Sequence, residues 1–438
     1  MRIFYYTFGC KVNQYETENI RELFELRGDT TVTAPDEADV CVVNSCTVTS
    51  EADKKCRQYL HRIRKLSPEC VLVCSGCMVQ VNKEIESLLP ECDIIVGSAN
   101  KTIIPSLVDE FIKTNKRITA ISDVMNCPAV ESMSNISYSE KTRAYIKIQD
   151  GCDMHCTYCI IPKARGHIRS KPIDDIVSES EQLIASGHKE LILTGINLCC
   201  YGRENSGKLR LIDAIEAVNS IEGNFRIRLS SLEPELITDS DILRMSKISK
   251  LCPQFHLSLQ SGCDRILAQM NRHYTTGEYE TICQKLRAVF PDCAITTDIM
   301  VGFPGETEED HRESIAFAQK IGFAEAHIFP FSPRPDTPAF TMSLQLDGNI
   351  KKRRAAEMSD VCHRSQQKYL NSMIGQKAEV LFEKESSAEY HQGHTPHYVL
   401  VKVRRITDTL RRQIKTVRIT SASDGCCIGE LCDDLLDI

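Results

Sequence analysis

The stretch Asp150-Gly-Cys-Asp-Met-His-Cys-Thr-Tyr-Cys-Ile160 sets Cys152, Cys156 and Cys159 at C-x3-C-x2-C spacing, directly after an apolar run at 144–148. Three thiolates on one short loop can hold three irons of a cubane cluster, leaving the fourth iron open to an exchangeable ligand. A structural zinc wants four closed ligands, and no fourth Cys or His follows at a matching offset. His155 lies inside the loop, where it would compete with its flanking cysteines for the same turn.

Outward from this loop the chain alternates strand and helix patterns. Downstream, a helix over 173–186 ends at Gly187, and strands are expected at 191–194, 226–230, 255–259, 294–300 and 326–331. With 144–148 these make six β/α units, a partial barrel whose chemistry belongs in the loops after the strands. Upstream, apolar strands at 2–6, 40–44, 71–74 and 94–96 alternate with helices, which reads as a doubly wound parallel sheet. The fold class is therefore α/β. Cys10, Cys46 and Cys77 each follow one of the first three strands. Loops leaving the carboxyl ends of parallel strands converge on one crevice, so these three could hold a second cluster. Spacing alone leaves unrelated buried thiols as an equal alternative, with Cys41, Cys56, Cys70, Cys74 and Cys92 nearby.

The chain has 438 residues, enough for two or three domains, with 22 Cys, no Trp and a net charge of −7. So many thiols in so large a chain argue for a reducing compartment, not a disulfide scaffold. No apolar run reaches the roughly 20 residues of a membrane span, and the N-terminus reads directly as a strand. The expected setting is the cytoplasm, without a membrane partner. The net charge excludes indiscriminate coating of nucleic acid but not local basic faces. One such stripe is Lys54, Arg57, His61 and Arg64, with no acidic residue between 54 and 65. Residues 114–142 are polar and aperiodic and read as a linker, mobile near 132–139.

The cluster loop resembles that of the radical S-adenosylmethionine (SAM) enzymes. Gly9-Cys-Lys-Val-Asn-Gln-Tyr-Glu16, Asn44-Ser-Cys-Thr-Val48 and Gly76-Cys-Met-Val-Gln80 resemble the N-terminal domain of the methylthiotransferases within that superfamily. The likeness covers essentially the whole chain. It implies two [4Fe-4S] clusters, one on Cys152, Cys156 and Cys159 and an auxiliary one on Cys10, Cys46 and Cys77. It also implies SAM contacts at strand ends and in the cluster loop, for which Tyr158, Asn197, Ser231, Glu233 and Gln260 are the candidates. Residues from about 374 onward, with strands at 378–383, 398–403 and 416–420 around a polar loop at 391–397, resemble the TRAM domain, a small antiparallel RNA-binding barrel. There Lys402, Arg404, Arg405, Arg411 and Arg412 face only Asp408 as a counter-charge and are expected to meet phosphate. Arg334, in a family loop that usually carries Gly where Asp336 stands, is expected to face RNA as well. The expected domains are 1–125, a linker 126–142, a radical SAM domain 143–372 and a TRAM domain 373–438.

The Gly9–Glu16 stretch most resembles the branch acting on N6-threonylcarbamoyladenosine beside the tRNA anticodon. The implied activity places a methylthio group on C2 of that base, with sulfur from the auxiliary cluster and an electron donor such as flavodoxin or ferredoxin. A monomer is expected. N6-isopentenyladenosine in tRNA and an aspartate of a ribosomal protein remain alternative substrates. An iron–sulfur RNA-binding regulator without turnover is the alternative outside enzymes.

Overall fold

The computed structural model describes residues 1–131, 142–205, 208–383, 389–405 and 409–432. The stretch 132–139, Asp408 and the acidic end of the chain lie outside the described residues. No helix of the described residues is long and apolar enough to cross a membrane.

The first sheet contains β1 (Arg2–Thr7), β2 (Thr30–Thr31), β3 (Val40–Ser45), β4 (Val71–Gly76), β5 (Ile94–Val96) and β6 (Ile118–Ala120), all parallel, in the order β2-β1-β3-β4-β5-β6. Every residue of β3 and β4 is buried. Both faces of the sheet are covered, which is why these strands read as unbroken apolar runs. Helix α1 (Lys11–Glu25) brings Ile20 and Phe24 to one face, against Ile3, Val40 and Val42. Helix α2 (Ser50–Leu66) brings Cys56, Leu60 and Ile63 to the other, against Cys41, Val43, Leu72 and Cys74. The decoy cysteines are thus core residues. β6 corrects the reading of 114–142 as linker. It is an edge strand paired only to β5 and half exposed, so it carries no apolar run to find.

The central region runs β7 (Arg143–Lys147), β8 (Gln149–Asp150), β9 (Arg169–Ser170), β10 (Glu190–Thr194), β11 (Arg226–Leu229), β12 (Gln254–His256), β13 (Ala294–Val301) and β14 (Glu325–Pro330). Parallel ladders β11-β10-β7 and β12-β13-β14 are joined by bridges Ile227–Leu251 and Leu232–Leu257, giving the expected six-stranded arc. Period-two alternation sorts its residues. Ile227, Phe255, Leu257, Ile295 and Ile299 enter the core under the outer helices, while Arg228, Gln254, His256, Thr296, Asp298, Glu325 and His327 line the lumen.

A closed barrel of β15 (Lys377–Phe382), β16 (Tyr390–His394), β17 (Leu400–Arg404), β18 (Ile414–Ser423) and β19 (Cys426–Leu431) follows, in the order β15-β16-β17-β19-β18. Its β17–β19 pair is parallel, where an antiparallel barrel was expected. Another expectation is corrected. Residues 391–394 belong to β16, not a loop, and Cys426–Leu431 adds a barrel strand that the sequence reading did not include. Within β16, position 393 is held to glycine: a Cβ there would lie 2.3 Å from the Leu381 carbonyl oxygen. Helix Gly348–Ser372 delivers Leu370 into this barrel's core. The expected boundary at 372 and 373 therefore runs through one packing unit.

The C-terminal barrel docks at the amino ends of the central strands. Arg226 donates to the His394 carbonyl at 2.7 Å and Arg228 to that of Pro396 at 2.9 Å. Arg143 pairs with Glu383 at 2.8 Å, and the Arg143 and Arg228 guanidiniums stack on Tyr398. Fully buried Glu190 accepts from Arg226 at 2.6 Å and from Arg228 at 2.8 Å. Burial raises its pKa, but Arg228, Arg226 and Arg143 together outweigh burial and lower it to about 2. Its contribution to stability is therefore full above the ordinary value of 4.5 and is lost as pH falls toward 2. Glu190→Gln, which leaves the arginines without their counter-charge, is expected to cost about 3 kcal/mol at neutral pH. The variant should also lose that part of the acid dependence, as read from urea unfolding across pH.

Candidate functional site

The first sheet reverses its strand order between β1 and β3, the switch point where open α/β sheets bind ligands. Cys10 follows β1 at the start of α1, Cys46 follows β3, and Cys77 opens helix α3 (Cys77–Val81) after β4. Two glycines permit this convergence. Gly9 has φ +95°, and a Cβ there would lie 2.7 Å from the Cys46 Sγ. Gly76 has φ +109°, and its Cβ would lie 2.5 Å from the Ser45 carbonyl oxygen. Cys46 and Cys77 are buried and Cys10 is exposed. Burial pushes the Cys46 thiol up to about 12.

The second triad sits on the loop between β8 and β9, whose pairing Gln149–Ser170 and Asp150–Arg169 closes its base. Gln149 donates to the carbonyls of Asp150 at 2.8 Å and Gly151 at 2.7 Å, and accepts the Asn197 N–H at 2.8 Å. Burial pushes Cys152 up to about 11 and Cys159 to about 12. It also raises Cys156, against the Arg272 guanidinium, whose Nη1 lies 3.2 Å from the Cys156 Sγ. His155 is exposed at φ +50°, directed away from a ligand role. In neither triad do all three sulfurs lie within 4.8 Å of one another, a wider spread than one tetrahedral ion with bonds of about 2.3 Å would gather. The donor sets, each beside a guanidinium, fit a larger anionic iron–sulfur group.

The expected SAM contacts fall into different places. Asn197 is buried beside Cys152, and its Oδ1 has no partner, an acceptor available to the ammonium of SAM. Glu233 pairs with Arg272, which also reaches Cys156. Tyr158 packs against Met270, Phe303 and Phe331. Ser231 is exposed on the cavity wall, whereas the hydroxyl of its neighbour Ser230 is buried without a partner. Gln260, at φ +65°, is a backbone link: its N–H donates to Asp298 and its carbonyl accepts from Met300.

Between the triads lies a buried charge network. Glu16 of α1 pairs with Lys101 at 2.5 Å, with Lys147 of β7 at 3.0 Å, and with Arg165 of helix Ile161–Arg165. Lys147 also holds Asp150, at the root of the second triad's loop, at 3.1 Å. Arg165 donates from Nε to the Cys77 Sγ at 3.2 Å and from Nη2 to the Asn13 Oδ1 at 2.7 Å. Burial opposes ionisation of Glu16, but Arg165, Lys101 and Lys147 hold its carboxyl well below the usual range.

One RNA-facing expectation is corrected. Arg334 is buried, donating to Asp53 at 2.8 Å and Thr47 at 2.5 Å; it ties the α2 loop to the central region. Within the α2 stripe, Arg64 holds Asp93 at 2.6 Å and the carbonyls of Pro68, Cys70 and Glu91, and His61 meets Glu91 at 3.0 Å. These partners come from the following loop and from residues near 91–93, which a count over 54–65 could not include. Lys54 and Arg57 are exposed. On β17, Lys402 and Arg404 alternate with buried Val401 and Val403; Arg405 is exposed, and Arg411 and Arg412 are half-buried. Asp336 adopts φ +66°, the conformation that the family's glycine favours and that Asp tolerates.

The sequence reading missed Lys11, Glu16, Arg165, Arg272 and the polar lumen. The lumen had a signal, since polar residues alternate with apolar ones on β11 to β14; Arg165 and Arg272 had none, because their partners are about forty to a hundred and fifty residues away. A cavity of about 600 Å³ joins the pieces, bounded by Cys10, Lys11 and Val48, by strand-end residues 194–196 and the lumen, and by Tyr398 of the C-terminal barrel. Glu16→Ala, which strands three buried cations, is expected to lower stability by about 3–5 kcal/mol, read from the urea midpoint of the reduced protein.

The radical SAM superfamily matches residues 146–318, and the uncharacterized protein family UPF0004 matches 2–97. The chain is 34% identical to threonylcarbamoyladenosine tRNA methylthiotransferase MtaB of Bacillus subtilis, over 95% of this chain and 93% of that one. The protein of the same name from Thermotoga maritima is 36% identical over 90% of this chain and 89% of its own. A tRNA-2-methylthio-N(6)-dimethylallyladenosine synthase of Caldicellulosiruptor saccharolyticus is 33% identical over 97% and 91%. The radical SAM methyltransferase TsrM of Kitasatospora setae, solved with cobalamin and a [4Fe-4S] cluster, shares the fold at TM-score 0.59 and 13% identity, over 77% of this chain and 74% of that one. With two thiol triads at the strand ends of its first two regions and relatives above 30% identity along nearly its whole length, this chain belongs to the radical SAM methylthiotransferase family.

Proposed function

We propose that the protein transfers a methylthio group to C2 of N6-threonylcarbamoyladenosine beside the tRNA anticodon, with Cys152, Cys156 and Cys159 holding the radical SAM cluster and Cys10, Cys46 and Cys77 an auxiliary [4Fe-4S] cluster. When bound, these groups and SAM supply the hydrogen-abstracting radical, the sulfur and the methyl group, chemistry that no side chain performs on an aromatic C–H. The chain's own residues hold and orient. Asn197 offers its free acceptor to the ammonium of SAM, and Arg272 donates to the Cys156 sulfur while fixing Glu233. Arg165 does the same for Cys77 from the opposite side.

The observation that carries this reading is the cavity, which borders Cys10 at one end and is closed by Tyr398 at another. Its inner wall of Gln254, His256, Thr296, Asp298 and His327 offers donors and acceptors to a ureido and hydroxyl substituent. Gln254 and His256 already meet Thr296, and His256 meets Asp298, so this wall is an ordered hydrogen-bonding surface that an isopentenyl group cannot use. Relatives named for both adenosine substrates stand at similar identity, so sequence likeness alone does not choose. With Arg334 buried, the basic face of β17 alone disfavours an aspartate of a ribosomal protein. The exposed side chains Arg404 and Arg405 are assigned to tRNA phosphate, together with Lys402, Arg411 and Arg412. A flavodoxin or ferredoxin is the electron donor in this reading, and the setting is cytoplasmic.

Nucleoside analysis of tRNA from a deletion strain is expected to lack 2-methylthio-N6-threonylcarbamoyladenosine while retaining the isopentenyl derivative. Persistence of the methylthio-threonylcarbamoyl nucleoside would sink the proposed substrate. Alanine at Cys10, Cys46 and Cys77 together is expected to halve the iron bound after anaerobic reconstitution. Full retention of iron would remove the auxiliary cluster.

A further inference from the structure

Lys11 stands out among the cavity residues. It follows Cys10 at the start of α1 and lines the cavity from the side of the first sheet. No carboxylate among the described residues pairs with it, and it makes no hydrogen bond there, although it is only half exposed. The nearby carboxylates are engaged elsewhere. Glu190 is held by Arg226 and Arg228, and Asp298 meets His256 at 3.2 Å. Arg228, the other permanent cation of the cavity wall, is engaged by Glu190 and by carbonyls of the C-terminal barrel. Its ammonium is therefore left for a ligand of the cavity that Lys11 lines.

We propose that Lys11 is a specificity-determining residue that pairs with the carboxylate carried on the N6 substituent of the substrate base; the inference rests on the substrate reading above. Consecutive Cα atoms are about 3.8 Å apart, so one short segment presents both the Cys10 thiol and the Lys11 ammonium to the same cavity. A base whose C2 lies toward Cys10 then has its N6 substituent within reach of the lysine. The isopentenyl group has no anion to offer, and a tRNA bearing it would leave the ammonium unpaired, so the same contact that selects one substrate rejects the other.

The test uses reconstituted full-length protein and three tRNAs: one carrying N6-threonylcarbamoyladenosine, one carrying its carboxyl methyl ester, and one carrying N6-isopentenyladenosine. Methylthiolation is followed under anaerobic conditions with KM and kcat separated, and iron content is measured for every variant. The native protein is expected to show a KM at least about tenfold lower for the free carboxylate than for the ester, the factor that corresponds to 1.4 kcal/mol. Lys11→Met is expected to lose that preference, and Lys11→Arg to keep part of it. A native protein indifferent to esterification overturns the proposal whatever the variants do, as does a Lys11→Met variant that still discriminates. Turnover of the isopentenyl tRNA alone overturns the substrate reading itself, an outcome distinct from indifference to the ester.

Discussion

The buried carboxylate of Glu16 is the point on which the arrangement of the two thiol triads depends. A single anion on α1 receives Lys101 from the first sheet's own region, Lys147 from β7, and Arg165 from the helix that follows the cluster loop. Each cation is almost fully removed from water, so none of them can be left alone without a large desolvation penalty. The network therefore acts as a geometric key. Arg165 must come to Glu16, and in doing so it brings its Nε to Cys77; Lys147 must come to Glu16, and in doing so it holds Asp150, two residues before Cys152. The two candidate clusters are positioned relative to each other by charge pairing, with apolar packing setting only the planes on which they stand.

A second buried carboxylate performs the same kind of task at the opposite end of the central arc. Glu190 gathers Arg226 and Arg228, whose remaining donors reach the carbonyls of residues 394–396. The C-terminal barrel is attached through backbone carbonyls, the Tyr398 ring and the Arg143–Glu383 pair. This docking also closes the cavity, because Tyr398 is part of its wall. The basic strand and the cavity wall are thereby built onto one connection.

How legible this was differs by element. The strands β3 and β4 were readable because both faces are buried and the apolar run is continuous. The strands β2 and β6 were not, since they are short sheet edges, nor was β16, a polar strand paired on both sides within the closed barrel. Cys10, Cys46 and Cys77 could be placed on one crevice from strand spacing, while their close approach needed Gly9 and Gly76 at positive φ against the next strand's backbone. Arg334 and Arg64 look like solvent-facing cations in a linear reading. Their acceptors, Asp53 and Asp93, come from distant or differently folded segments and turn both into internal ties.

What the sequence by itself determined was the chemistry of the donors: a C-x3-C-x2-C loop after a strand, three cysteines after three successive strands, and an α/β alternation that puts strand ends on one side. These follow from local spacing and period, which the chain carries residue by residue. Only the tertiary structure decided which cations remain free for a ligand and which are consumed by the fold. That outcome depends on pairings across tens to hundreds of residues, and it separates Lys11, without a carboxylate partner among the described residues, from Arg334, buried against Asp53.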